Sequence, residues 1–351
     1  MCETTGGAGE ARASMPRPVR GAAVDPVALE PVDEVEILTL VDNVYDALLG
    51  SDERTRRARL RRRDGDGAAV RGGPHPHRDD RRARVLRAGH GAPGRRSTRL
   101  LFDTGLSPDA MVTNAARLGV DLGDVQAVVL SHGHFDHAGG LAGLAGRRGV
   151  RSLPMVLHPR VWTKRRLAVP GEPVEELPTL SRKALDGEGF EVIERREPSL
   201  LLDGGVLITG EVDRTTEFEH GMPPPHQAWT GSGWEHDPLV IDDQALVVHV
   251  RGRGLVVLTG CGHAGAVNIV RHARRLTGVD RLHALVGGLH LGGPAFEPVI
   301  PPTVAALAEL APGLVVPGHC TGWRAQHALA AALPDAWVQG SSGTTYRLAA
   351  A

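Results

Sequence analysis

Three imidazoles and a carboxylate fall within the six positions His132-Gly133-His134-Phe135-Asp136-His137. Neutral imidazoles and carboxylates are ligands for divalent ions of the first transition row, so this density suggests a metal site. Alternate residues such as His132 and His134 project to one side of extended backbone, while Asp136 and His137 can turn toward a neighbouring point. That supplies two adjacent metal positions. A polar turn with its histidines in solvent is the bland alternative, and it leaves the spacing without a reason.

The cluster directly follows Val125-Gln126-Ala127-Val128-Val129-Leu130, a run that reads as a short buried strand. Strand ends are where α/β enzymes place their chemistry. The same arrangement recurs downstream. Residues 255–258 run into Thr259-Gly260-Cys261-Gly262-His263, residues 282–286 into Gly288-Leu289-His290, and residues 314–316 into Gly318-His319-Cys320. Upstream, residues 98–102 end at Asp103, and a carboxylate at a buried strand end needs partners just as ligand imidazoles need acceptors. Asp103 is therefore expected to orient a ligand histidine.

Further strands are expected at residues 35–40, 156–157, 206–209 and 245–250, with a helix after Gly265 to about Leu276. Residues 160–190 read as a Pro-interrupted helical insertion, and residues 211–238 as a loop rich in His, Pro and Trp. Residues 1–30 lack periodicity and read as a disordered leader, with Met15 a candidate start. The folded domain is expected over 31–351.

At 351 residues with 41% hydrophobic side chains, the chain can bury a sizeable core. Aromatics make up only 3%, so no stacking platform for single-stranded nucleic acid is visible and no specific nucleic-acid partner is expected. No run approaches the length of a bilayer span and the first thirty residues lack the apolar core of a signal peptide, which makes the cytoplasm the expected compartment. Three cysteines, Cys2, Cys261 and Cys320, form no disulfide framework and read as thiols or ligands. No Gly-rich phosphate loop follows a strand at the spacing a nucleotide site requires. A small-molecule substrate is the expected partner, and the sequence leaves the oligomeric state open.

The formal net charge of −1 hides an asymmetry. Residues 54–99 hold 16 of the 40 basic residues and 4 of the 41 acidic ones, leaving 24 basic against 37 acidic elsewhere, a balance of −13. This Arg-rich stretch, atypical over 54–97, is either a solvated basic insertion or a translation in the wrong reading frame. One permitted back-translation of the codons from Gly73 to Ala92, read one nucleotide later, gives ARTLTEMTAEHGFSALVTV, which ends in an alternating strand pattern.

The His-x-His-x-Asp-His run after a strand resembles the metallo-β-lactamase superfamily, and Leu101-Phe102-Asp103-Thr104-Gly105 resembles the strand that precedes it there. Within that superfamily the chain resembles the branch named after 7,8-dihydropterin-6-methyl-4-(β-D-ribofuranosyl)aminobenzene-5'-phosphate synthase. Matching stretches are Thr39 to Asn43, Ser131 to Leu141, Thr216 to Glu219, Asp242 to Leu246, Thr259 to Gly265, Gly287 to Leu291 and Gly318 to Gly322. The branch normally has a strand resembling AEHGFSALV near the Arg-rich gap, a string the shifted frame contains. On the shifted-frame reading, the written chain lacks a strand pair of the first sheet.

The resemblance implies an α/β (α+β) fold, an αββα sandwich of two mixed sheets with the metal cluster at one edge. It implies metal ligands His132, His134, Asp136, His137, His263 and His319. His290 stands between ligand, substrate contact and a supporting role. Cys261 occupies the place where the superfamily often has a bridging aspartate, so a thiolate ligand and a packed thiol are both open. Asp42, Asn43, Arg214, Glu217 and Glu219 are within reach of a substrate in the branch pattern, though each is equally readable as structural. The cofactor implied is one or two divalent metal ions, Zn by default for His-rich ligation, with Fe and Mn compatible.

The expected activity is a metal-dependent hydrolase that uses a metal-activated water on a phosphodiester or other ester, with Asp136 as the catalytic carboxylate that orients the nucleophile. One alternative is a synthase-like transferase joining a pterin unit to a ribosylated aminobenzene phosphate. Another is a non-catalytic or damaged metal-binding product.

Overall fold

The strand Val125–Val129 is buried on both faces, and its side chains show what it lies between. Ala127 and Val129 meet residues of a second sheet, whereas Val125 and Val128 pack under helices on the outside. A strand with both faces covered reads as a continuous aliphatic run rather than an alternating one. Each such valine contributes about 1.5–3 kcal/mol of burial.

The structure is a computed structural model and describes residues 17–18, 26–46, 48–57, 83–89, 98–148 and 152–351. Among these, an eight-stranded mixed sheet runs in the order Phe190–Glu194, Leu153–Leu157, Val125–Val129, Thr98–Phe102, Ala83–Gly89, Glu34–Val41, Thr344–Ala349 and Thr55–Arg57. A seven-stranded mixed sheet runs Arg17–Pro18, Ser199–Leu201, Val206–Ile208, Leu246–Val250, Gly254–Thr259, Leu282–Gly287 and Leu314–Pro317. Each sheet is parallel at the end that carries the histidine loops and antiparallel elsewhere. One aliphatic core lies between the sheets. A second covers the seven-stranded sheet beneath helices Ala266–Thr277, Ile300–Glu309 and Trp323–Ala332, and a third covers the eight-stranded sheet beneath Ala110–Leu118 and Leu141–Arg148. The expected αββα sandwich is the observed architecture.

Two expectations are corrected. Residues 160–190 and 211–238 contribute a third sheet of four strands, Trp234–His236, His226–Trp229, Arg165–Leu167 and Glu175–Glu176, so the expected loop holds a hairpin and the expected helical insertion is α-helical only at Arg182–Gly187. Pro170, Pro173 and Pro178 remove the donors a helix there would need, and the strands, two to four residues long, are too short to show a period. The leader is also shorter than expected. Val27 and Leu29 are buried in the second core, and Glu30 N donates to Gly204 O at 2.9 Å, so residues 26–30 belong to the folded body. Arg17–Pro18 pairs with Ser199 and Leu200, while the rest of the leader, Met15 included, lies outside the described residues.

In the Arg-rich region, Ala83–Gly89 occupies the slot between Glu34–Val41 and Thr98–Phe102, antiparallel to both. The expected missing strand is therefore present there, and Thr55–Arg57 pairs with Thr344 to Tyr346 at the sheet edge. Its cost is visible at Arg84, which is 2% exposed and ion-paired with Asp42 at 3.3 Å. Residues 58–82 and 90–97 lie outside the described residues. No helix among the described residues is long and apolar enough to cross a membrane.

Candidate metal centre

The chain leaves strand Val125–Val129 at Leu130, bends at Ser131 and Gly133, and reaches His134, the N-cap residue of the short helix Phe135–Ala138 with φ −71° and ψ 140°, whose Nδ1 lies 3.0 Å from His132 Nε2. His132 and His134 thus point to one place, and the helical turn that follows delivers Asp136 and His137 to the next. Gly133 between them has no room for a side chain, since a Cβ would lie 2.5 Å from Val161 O. Its amide instead donates to Asp242 Oδ2 at 2.8 Å.

Asp103, held at φ 60° at its strand end, accepts from Ser131 N at 2.7 Å, from Ser131 Oγ at 2.9 Å and from His137 Nδ1 at 2.7 Å. With the Ser131 proton committed to Asp103, the serine oxygen is free to accept from His132 Nδ1 at 2.9 Å. The network assigns both rings the tautomer with hydrogen on Nδ1 and a lone pair on Nε2. Asp103 therefore orients a histidine, as its strand-end position suggested. A Cβ at Gly260 would sit 2.1 Å from Ser131 Oγ, so the facing strand must end in glycine for this serine to fit.

Cys261 and His263 follow strand Gly254–Thr259, and His319 follows Leu314–Pro317. His319 adopts φ 53°, held by its amide donating to Asp42 Oδ1 at 2.8 Å and by Asn43 Nδ2 donating to its carbonyl at 3.0 Å. Two groups of ligand atoms result, His132 with Cys261 and His263, and His137 with Cys261 and His319, all atoms of a group lying within 4.8 Å of one another. Cys261 Sγ is common to both, 3.1 Å from His137 Nε2 and 3.1 Å from His319 Nε2. His134 Nδ1 joins the first group at 3.0 Å from His132 Nε2, and His263 Nε2 lies 3.2 Å from the same atom. Asp136 Oδ2 joins the second, 3.5 Å from His319 Nε2 and 3.8 Å from His137 Nε2.

These are the residues singled out from the sequence, now in one place. His290 differs, for its ring lies against His263 at 4.2 Å and Phe296 at 4.6 Å and stands in neither ligand group. Cys320 donates its thiol to Cys261 O at 3.3 Å. Arg214 Nη1 donates to His263 O at 3.0 Å, and Glu219 receives Val267 N and Asn268 N, both at 2.9 Å, as the cap of helix Ala266–Thr277. Asp42, Asn43, Arg214 and Glu219 thus shape the loops, and Glu217 is exposed.

Burial, reinforced by repulsion from neighbouring imidazoles and, for His132 and His134, from Arg165, holds His132, His134 and His263 well below the ordinary histidine pKa. Neutral rings are what a metal needs. Burial likewise lowers His290 to about 4 and raises Asp243 to about 7; Asp243 Oδ1 stands 3.9 Å from His132 Nδ1. The donor set fits divalent metal ions. His132 has spent its N–H on Ser131, so its Nε2 lone pair points at two further ring nitrogens 3.0 and 3.2 Å away. Lone pairs that converge in a dry site repel unless a cation lies among them.

Sequence reasoning missed His226, whose Nε2 is 3.0 Å from His134 Nε2 and whose Nδ1 meets Asp237 O at 3.1 Å. It also missed Arg165, which ion-pairs with Asp242 and Asp237. The run His226-Gln227-Ala228-Trp229 before the turn residues Gly231-Ser232-Gly233 was the available hairpin signal. Beside the cluster lies a cavity of about 290 Å³, walled by His263 and His290 and by apolar residues including Met222, Pro223, Leu291 and Phe296.

Residues 95–267 match the family model described as the metallo-beta-lactamase superfamily. The chain is 27% identical over 236 residues to the 7,8-dihydropterin-6-methyl-4-(beta-D-ribofuranosyl)-aminobenzene-5'-phosphate synthase of Methanocaldococcus jannaschii, covering 65% of this chain and 77% of that protein. It is 35% identical over 128 residues to a ribonuclease Z of Methanopyrus kandleri, 36% of this chain and 38% of that one. A solved structure of a metal-dependent hydrolase of the beta-lactamase superfamily superposes with a TM-score of 0.63 at 22% identity, covering 90% of this chain and 99% of that one, which shows a shared fold.

Proposed function

We propose that this chain, a member of the metallo-β-lactamase superfamily through residues 95–267, is a metal-dependent hydrolase of phosphodiesters or other esters. The observation that carries the reading is the pair of ligand groups that share Cys261 Sγ beside a mostly apolar cavity. In this reading His132, His134 and His263 would hold one ion and Asp136, His137 and His319 the other, with the Cys261 sulfur within reach of both groups and Zn the ion that suits a nitrogen and thiolate set. Divalent ions held there supply a water of lowered pKa and polarise the ester oxygen.

The chain's own residues do the rest. Asp136, at 13% side-chain exposure the most open carboxylate of the cluster, orients the attacking water and accepts its proton. Asp103 and Ser131 keep His137 and His132 aligned through the N–H groups opposite the ligand atoms. The cavity wall carries the Glu219 carboxylate and no Lys or Arg among the described residues, so the part of the substrate that enters it is not anionic and is largely apolar. The substrate class is thus an ester with an aryl or alkyl group.

The second reading is the synthase reaction, favoured by the 27% identity to the methanogen enzyme. The cavity wall weighs against it, because a 5'-phosphate would meet the Glu219 carboxylate and no guanidinium or ammonium there. Zinc-loaded protein offered bis(p-nitrophenyl) phosphate and, separately, the pterin and ribosylated aminobenzene substrates tests both. Chelator-sensitive release of nitrophenol without pterin coupling supports the hydrolase; coupling without hydrolysis favours the synthase.

A further inference from the structure

We infer that His226, carried by the small third sheet, is a positioning residue that fixes the tautomer and direction of His134. The inference rests on the metal reading of the cluster, in which His134 offers Nδ1. His226 Nδ1 donates to the carbonyl of Asp237 at 3.1 Å, which leaves a lone pair on its Nε2. That lone pair faces His134 Nε2 at 3.0 Å, so His134 carries its hydrogen on Nε2 and its own lone pair on Nδ1, toward His132 and His263. His226 is 2% exposed, so the contact is shielded from bulk solvent.

The arrangement is braced by a closed circuit. The backbone of Asp237 pairs with that of His226, and its side chain accepts from Arg165 Nε at 3.0 Å. Arg165, itself 4% exposed, ion-pairs with Asp242, and Asp242 Oδ2 accepts the amide of Gly133 at 2.8 Å. The path leaves the metal cluster at the ring of His134 and returns at the backbone of the residue before it. A ring held from both ends in this way loses little freedom on taking a metal, the usual work of an outer partner to a ligand histidine. The third sheet is then part of the metal centre rather than an appendage to it.

The test begins on the metal-free native chain, by long-range nitrogen–proton correlation of its ¹⁵N-labelled imidazoles. The expected result is hydrogen on Nε2 of His134 and on Nδ1 of His226; hydrogen on Nε2 of His226 would overturn the assignment. Zinc affinity is then measured by competition with a chromophoric chelator. His226→Leu is expected to lose about 10- to 100-fold for one of two ions while His226→Gln, whose side-chain oxygen can accept, loses less. Unchanged zinc affinity in a His226→Leu chain whose metal-free melting matches wild type would overturn the role. If the leucine variant does not fold, the tautomers of the native chain still decide. Wild-type protein that takes up no zinc would defeat the metal reading, a result separate from the tautomer measurement.

Discussion

Strands Val125–Val129 and Ala83–Gly89 flank the same neighbour, Thr98–Phe102, yet they obtain their place in the sheet by opposite means. The first fills both faces with valine and alanine and needs no partner beyond packing. The second sets Arg84 in the interior, where its guanidinium faces the Asp42 carboxylate and donates to Thr39 Oγ1 at 3.4 Å. Asp42 is also the residue whose other oxygen holds the amide of His319. The Arg-rich region therefore touches the metal cluster through one carboxylate. The lesson is that a site can be chemically complete while the sheet beneath it depends on a charge pair.

The contrast yields predictions of falling size. His137→Ala should lower hydrolysis of bis(p-nitrophenyl) phosphate by about a thousandfold, ~4 kcal/mol in the barrier, with little change in urea stability of the metal-free chain. Retained turnover would remove His137 from the site. Asp42→Ala should cost about 3–5 kcal/mol of stability, because it removes the carboxylate that faces a buried guanidinium and accepts the His319 amide. The double replacement of Asp42→Asn with Arg84→Met should be neutral or stabilising, and a loss as large as the single one would show that the pair is more than a tolerated charge.

Smaller effects sharpen the comparison further. Asp103→Asn should weaken zinc about 10- to 100-fold in chelator competition while the melting of the metal-free chain moves little. Replacing residues 73–91 by ARTLTEMTAEHGFSALVTV, the shifted-frame peptide, should raise the melting temperature by a few degrees, about 1 kcal/mol. A replaced chain that melts at or below the original would argue that the written reading frame is the native one.

The clustering of these side chains was legible because their chemistry is dense: six residues from His132 to His137 carry four side chains able to hold a metal, and Cys261, His263 and His319 sit where strands end. The sandwich was legible for the same reason as Val125–Val129, since covered strands are written in aliphatic runs. The third sheet was not, because strands such as Arg165–Leu167 and Glu175–Glu176 have no period to read and take their conformation from their partners. His226 was hidden with them. A lone histidine after three prolines carries no sign of a contact with His134, 92 residues earlier. Ala83–Gly89 was obscured by composition, for nothing in its sequence announces that Asp42 will pair with a buried arginine.

The central claim is that two ions share the Cys261 centre and that hydrolysis depends on them. Metal analysis and phosphodiesterase turnover on the same purified sample test it most directly. The account expects about two zinc ions per chain, turnover abolished by a chelator and restored by zinc, and, in Cys261→Ala, loss of at least one ion together with most of the activity. Undiminished turnover by a chain that contains no metal would contradict it.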